Sequence, residues 1–413
     1  MKTIFKTLFL FITIGISAQQ SATESEVVTK ALKEKEALTK TSIIKNLSFT
    51  NIGPTVMSGR VADMAVNPED PTEFYVGYAS GGLWYTNNNG ASFTPLLDNS
   101  PTQNVGDIAV DWNNRTIWVG TGEKNSSRSS YAGIGMLKSK NQGKTWEHVG
   151  LSDSHHVSRV VINSNNPEEV VVGVIGHLYS PNEERGVFKT VDGGKTWKKT
   201  LFINNDTGII DVVAAPENPN ILYAASWERE RKAWNFDGDG NNSAIYKSID
   251  GGDTWKNISS NNGFRNGAGV GRIGLSIYDE NTVYALHDSQ FRRASKEKKK
   301  QAFNGLTKED FKKMSKDEFL KLTDKKLNNY LKTNRFQEKY SAVSIKKMVS
   351  SGVVKPIDLA KYVENANTLL FDTPVEGAEV FVTTNGGKNW NKTHKNHIDG
   401  LYSSYGYYFG EIR

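Results

Sequence analysis

Residues 190–197 read TVDGGKTW and residues 248–255 read SIDGGDTW. Both place a hydroxyl residue, an aspartate, paired glycines, a threonine and a tryptophan in the same order. Looser copies follow the same scheme: TNNNGASF from Thr86, SKNQGKTW from Ser139 and TTNGGKNW from Thr383. The first three gaps between these starts are about 50–60 residues, the length of one four-stranded propeller blade. The last gap is more than twice as long, and it holds a Lys-rich stretch of roughly 75 residues whose removal restores the period.

Each repeat has one plan. An apolar strand (GRVADMAV, GDIAVDW, SRVVINS, IDVVAAP, GRIGLSI) comes first, and in most repeats an Asn/Asp/Pro turn follows. A second apolar strand, a variable loop, a third strand, the octapeptide and a fourth strand complete the unit. The pattern predicts an all-β chain, a β-propeller of four-stranded blades spanning 47–413. Five blades are visible, and YYFGEIR (407–413) reads as the inner strand of a sixth, so the propeller is expected to be incomplete at the C-terminus. The Lys-rich stretch, 290–372, is read as an α-helical insertion within blade five. There SKDEFLKL sets Ser315 and Glu318 at capping-box spacing, and Phe319, Leu322, Leu327, Tyr330 and Leu331 recur at helical spacing.

Composition narrows the class. The first 18 residues join Lys2 and Lys6 to an apolar run ending at Ser17-Ala18, the pattern of a signal peptide, and 19–46 reads as an N-terminal linker. No later apolar run has transmembrane length, and there is no cysteine to form a disulfide. An exported protein is expected, periplasmic, cell-surface or secreted. The net charge of +6 is local: 291–364 holds about 20 basic and about 9 acidic residues, leaving the remainder near −5. A nucleic-acid partner for the body of the chain does not follow.

The octapeptide resembles the Asp-box, or BNR repeat, of sialidases, sortilin-type propellers and xyloglucanase-type glycoside hydrolases. Over about residues 50–413 the chain is most similar to secreted bacterial sortilin-like, glycosyl-hydrolase-like propellers. The repeat implies a fold, because those families do unrelated things. Its chemistry is structural: Asp192 and Asp250 accept backbone N–H groups across a hairpin, Gly194 and Gly252 supply positive φ, and Trp197 and Trp255 pack between blades. Three copies carry Asn88, Asn141 or Asn385 at the aspartate position, which rules out a shared catalytic carboxylate.

The inner strands, aligned on their apolar runs, begin with Arg60, Asp107, Arg159, Asp211, Arg272 and Glu411, charges of alternating sign. This predicts a salt-bridged ring at a channel mouth, with Arg60, Arg159 and Arg272 also offering an anion site. The long second-to-third-strand loops share one face, opposite the octapeptide hairpins, and a ligand site is expected there. Glu123 and Glu228 are the candidate carboxylate pair for glycoside hydrolysis, Trp227 and Trp234 the candidate sugar platforms, and His177 a further ligand contact. DGDGNN (237–242) opens like a calcium loop but has Asn242 and Ser248 where glycine and a bidentate acid belong. Calcium is thus weakly supported, no other cofactor is implied, and His155-His156, adjacent on extended backbone, do not form a metal site. No Ser-His-Asp set, phosphate loop or HExxH motif occurs. The expected function is a module binding an extracellular or periplasmic protein, peptide or glycan, with a glycosidase as the alternative.

Overall fold

The computed structural model describes residues 22–47, 59–293, 305–334, 336, 339–363, 375–398, 401 and 406–413. The signal-peptide segment 1–18 lies outside the described residues. Within the expected linker, Ser25–Thr41 form helix α1, which buries no residue and reaches the blades through Lys35 Nζ to Ser100 O, 3.5 Å.

Five four-stranded antiparallel sheets follow. They comprise β1–β4 (Val61–Val66, Phe74–Tyr78, Gly82–Thr86, Thr94–Pro95) and β5–β8 (Val105–Asp111, Thr116–Thr121, Met136–Ser139, Glu147–His148). Next come β9–β12 (Val157–Asn163, Asn166–Val174, Gly186–Thr190, Lys198–Leu201) and β13, β14, β17 and β18 (Thr207–Ala215, Asn218–Glu228, Ile245–Ser248, Lys256–Asn257). The fifth is β19–β22 (Val270–Ile277, Val283–Arg292, Val375–Thr383, Asn391–Lys392). A two-stranded ribbon, β15–β16 (Glu230–Arg231, Phe236–Asp237), rises from the fourth. The first strand of each sheet packs on the first strand of the next, which is the arrangement of β-propeller blades. Apolar side chains fill the gaps between successive sheets: Tyr75, Leu83 and Val105 between the first two, Trp118, Val157 and Val172 between the second and third.

The octapeptides close the hairpins between third and fourth strands. Thr190 Oγ1 bonds Asp192 Oδ1 at 2.8 Å and accepts Gly194 N–H at 2.9 Å, while Asp192 Oδ1 accepts Thr196 N–H at 2.9 Å. Ser248 and Asp250 repeat the scheme, and Asn88, Asn141 and Asn385 reproduce its main-chain bond. The Thr196 and Thr190 donors hold Asp192 down at about 2. The tryptophans reach back to the preceding blade, Trp197 Nε1 to Val149 O at 2.6 Å and Trp146 Nε1 to Leu96 O at 2.8 Å, while Trp255 Nε1 meets Thr200 Oγ1 at 3.1 Å. Gly194 has φ +90°, and a Cβ there would lie 3.1 Å from the Trp118 ring. Gly194→Ala is therefore expected to cost about 1–2 kcal/mol in urea unfolding. Asp192→Asn, which keeps the acceptor used in three sister hairpins, should leave the midpoint nearly unchanged.

Between β20 and β21 lie α2–α6 (Lys308–Lys313, Lys316–Leu320, Asp324–Thr333, Ala342–Ser350, Pro356–Val363). Ser315 and Glu318 form a reciprocal capping box, and so do Thr307 and Asp310. These helices bury a core of their own around Phe311, Phe319, Leu327, Tyr330, Ile345 and Leu359. No helix among the described residues is long and apolar enough to cross a membrane.

The C-terminal stretch departs from expectation. Gly406–Phe409 form a short helix, α7, and among the described residues 410–413 pair with no strand. YYFGEIR is therefore not an inner strand of a sixth blade in this structure. The chain instead passes close to β19, where a Cβ on Gly274 would lie 2.5 Å from Gly410 O, and Arg413 NH2 reaches Asp63 Oδ1 at 3.0 Å.

Candidate functional site: the axial charge network and the loop face

A register shift opens each inner strand and turns the next residues toward the axis. It falls between Val61 and Asp63, Val105 and Asp107, Val157 and Arg159, Ile209 and Asp211, and Val270 and Ile273. The equivalent of Asp107 in the first blade is thus Asp63, not Arg60. This corrects the six-fold alternation, which aligned that strand three residues too early.

What the bulges assemble is a charge-balanced cluster of four acids (Asp63, Asp107, Asp211, Glu411) and four bases (Lys124, Arg159, Arg272, Arg413). Arg159 Nε bonds Asp211 Oδ1 at 2.8 Å and its NH1 bonds Asp107 Oδ1 at 3.2 Å. Lys124 Nζ lies 3.3 Å from Asp107 and 3.1 Å from Glu411. Arg272, 1% exposed, spends its guanidinium on Asn125 Oδ1, Glu411 Oε1 and the Tyr407 and Tyr408 carbonyls. The acids also stitch neighbouring blades: Asp63, Asp107 and Asp211 accept the N–H groups of Ile108, Val160 and Leu275. Burial disfavours the charges, yet Asp211, Asp107 and Asp63 raise Arg159 further, and Lys124 and Arg272 pull Glu411 down against its own burial. The cluster is neutral inside itself. It leaves no arginine trio facing an anion.

Glu123 is equally committed. Its side chain is unexposed, Arg60 Nε and NH2 grip it at 2.9 and 2.5 Å, and Tyr408 Oη donates at 2.6 Å. Glu228 Oε2 accepts the main-chain and side-chain N–H groups of Asn242 at 2.8 and 3.1 Å. Trp227 is fully buried with Nε1 on Gly238 O, so its ring is core and cannot stack on a sugar. Trp234, at the end of the β15–β16 ribbon, is 79% exposed. In the calcium-like loop, Asp237 takes the Asn235 amide and Asp239 the Gly269 N–H. The aspartate and threonine contacts of Asp192 and Asp250, and the packing of Trp197 and Trp255, stay within the hairpins and the blade gaps described above.

His156 is buried, its Nδ1 on Glu123 O. His155 turns the other way, stacking on His177 at 3.8 Å between centroids. The second-to-third-strand loops of three blades are knitted together: Tyr179 Oη donates to Arg128 O at 2.9 Å and Arg231 Nε to Ser126 O at 3.0 Å. Above them Tyr131, Tyr179 and Trp234 remain exposed. Lys124, Asp63, Arg413 and Asp153 escaped sequence reasoning; only Asp63, one bulge downstream of Arg60, left a readable signal.

Beside Arg272, burial pushes Asp288 up to about 7, against the pull of Gln290 and Arg272. Between its ordinary 3.8 and that value the folded chain binds more protons than the unfolded one, so stability falls as pH rises through this window. Asp288→Asn is expected to flatten the decline, gaining up to about 4 kcal/mol at pH 8 relative to pH 4, read from paired melting curves.

The family model described as Sortilin-Vps10 (Sortilin, neurotensin receptor 3) matches residues 135–355, more than half of the chain. The vacuolar protein sorting/targeting protein 10 of Kluyveromyces lactis is 28% identical over 136 residues, 32% of this chain and 8% of that protein. The chain therefore matches only a small part of that relative's length. Among solved structures, a GH74 enzyme of Niastella koreensis is similar at 17% identity and TM-score 0.45, covering 80% of this chain and 38% of its own. An ancestral GH74 enzyme is similar at 19% and 0.43, covering 57% and 30%. At such scores these likenesses bear no weight on activity. The extent of the family match, on a chain built of propeller sheets, decides membership: the chain belongs to the Sortilin-Vps10 family.

Proposed function

We propose that the protein is an exported propeller whose loop face binds a protein or peptide ligand. The carrying observation is that Glu123 and Glu228, the candidate carboxylates of that face, are engaged by protein donors while large aromatic side chains there are exposed. Arg60 and Tyr408 hold Glu123, whereas Tyr131, Tyr179 and Trp234 project from the three interlocked loops. Exposed tyrosine and tryptophan on a rigid base supply contact area at low entropic cost, the usual composition of binding hot spots. Family membership supports the same reading, since the Kluyveromyces lactis relative is named for sorting and targeting. A general acid for glycoside cleavage must reach its substrate, and the Glu123 side chain is unexposed beneath Arg60 and Tyr408.

A random peptide library panned on the purified protein tests this. Wild type is expected to enrich related sequences, and the Tyr131→Ala/Tyr179→Ala/Trp234→Ala variant to lose them at least about tenfold. Equal enrichment by both proteins would remove the loop face from the account.

A further inference from the structure

Among the described residues, one group of three metal-ligating side chains has its donor atoms converged: Asp153, His155 and His177, all within 4.8 Å of one another. Asp153 and His155 come from the SDSHH loop before β9, and His177 from the loop after β10. Their arrangement is more specific than proximity. His177 Nδ1 is bound to Ser180 Oγ at 3.0 Å, which leaves Nε2 facing both Asp153 Oδ1 and the Asp153 main-chain carbonyl, each 3.1 Å away. His155 Nε2 faces the same Asp153 Oδ1 at 3.9 Å. His177 thus has one nitrogen tied to a protein partner and the other directed at a carboxylate that His155 Nε2 also faces. That is how outer partners orient histidine ligands in metal sites.

We propose that Asp153, His155 and His177 bind a single borderline divalent ion of the Zn²⁺ class. A tetrahedral ion at about 2.0–2.2 Å from N and O donors holds those donors roughly 3.4 Å apart. The contacts of 3.1 and 3.9 Å bracket that spacing, and binding would also open the His155–His177 stack, whose ring centroids lie 3.8 Å apart. Imidazole and carboxylate donors select zinc, cobalt or nickel over calcium and magnesium. Three protein donors leave one tetrahedral position open. Glu184 lies beside the site, and its Oε2 is buried without a hydrogen-bond partner. His155 holds φ +52°, a conformation uncommon for a residue other than glycine, which the ion would help maintain. The ion would fasten the SDSHH loop to the β10–β11 loop. The inference stands apart from the peptide-binding reading.

The test uses untagged, chelator-treated protein titrated with Zn²⁺ by calorimetry, and with Co²⁺ followed by visible absorption. One ion per chain is expected, with the intense band of tetrahedral Co²⁺. His155→Asn, which tolerates the same backbone conformation, and Asp153→Asn should each weaken binding more than about tenfold while ion-free melting stays close to wild type. His397→Ala, remote on the surface, should bind as wild type. No stoichiometric uptake by wild type, or uptake unchanged in both His155→Asn and Asp153→Asn, overturns the proposal. His177→Gln serves as a third arm if either variant unfolds.

Discussion

Arg159→Met is expected to destabilise the protein by about 3–5 kcal/mol, the cost of leaving buried carboxylates without their counter-charge. Arg159 is the hinge of the axial cluster, bonding Asp211 and Asp107 on the blades either side of its own. Methionine fills similar volume, so the loss reports charge more than packing. Asp107 retains Lys124 and the Val160 N–H, but among the described residues Asp211 retains only the Leu275 N–H. Asp211→Asn on the Arg159→Met background should therefore recover part of the loss, a coupling that a double-mutant cycle in urea measures directly. A change under about 1 kcal/mol for Arg159→Met would mean the axis is solvated and its ion pairs idle.

Trp227→Ala and Trp234→Ala should separate cleanly, although they stand only seven positions apart and both read as platforms for a ligand. Trp227 is unexposed, packs edge-on to Phe236 and donates to Gly238 O, so its truncation opens a core cavity and should cost about 3–5 kcal/mol. Trp234 stands in solvent at the ribbon's end, so Trp234→Ala should leave the unfolding midpoint where it was and act on ligand affinity alone. Urea unfolding of the two variants decides the matter. Equal losses would mean the ribbon folds back on the blades.

The contrast shows which features a sequence displays. The hairpins were legible because their chemistry is local: Thr190, Asp192, Gly194 and Thr196 bond one another within one turn. Blade order followed from their spacing. The axis was legible in kind but not in register, since the bulge between Val61 and Asp63 inserts a residue that no pattern of apolar positions reveals. Lys124 was invisible, because nothing in GTGEKNSS says that its ammonium crosses to Asp107 and Glu411. The C-terminal YYFGEIR has strand-like residues, but Arg272 takes the Tyr407 and Tyr408 carbonyls that a strand would spend on a neighbour. His155 and His177 are far apart in sequence, and only the pairing of β9 with β10 brings their loops together. Local hydrogen bonding is written in short motifs; side chains that meet across blades are not.

The most direct test of the binding account sets affinity against turnover on the same proteins. Calorimetric titration of a peptide enriched on wild type, run beside a polysaccharide-hydrolysis assay, should give unchanged affinity for Glu228→Gln, lost affinity for the Tyr131→Ala/Tyr179→Ala/Trp234→Ala variant, and no released sugar from any of them. Sugar released by wild type and abolished in Glu228→Gln would contradict it.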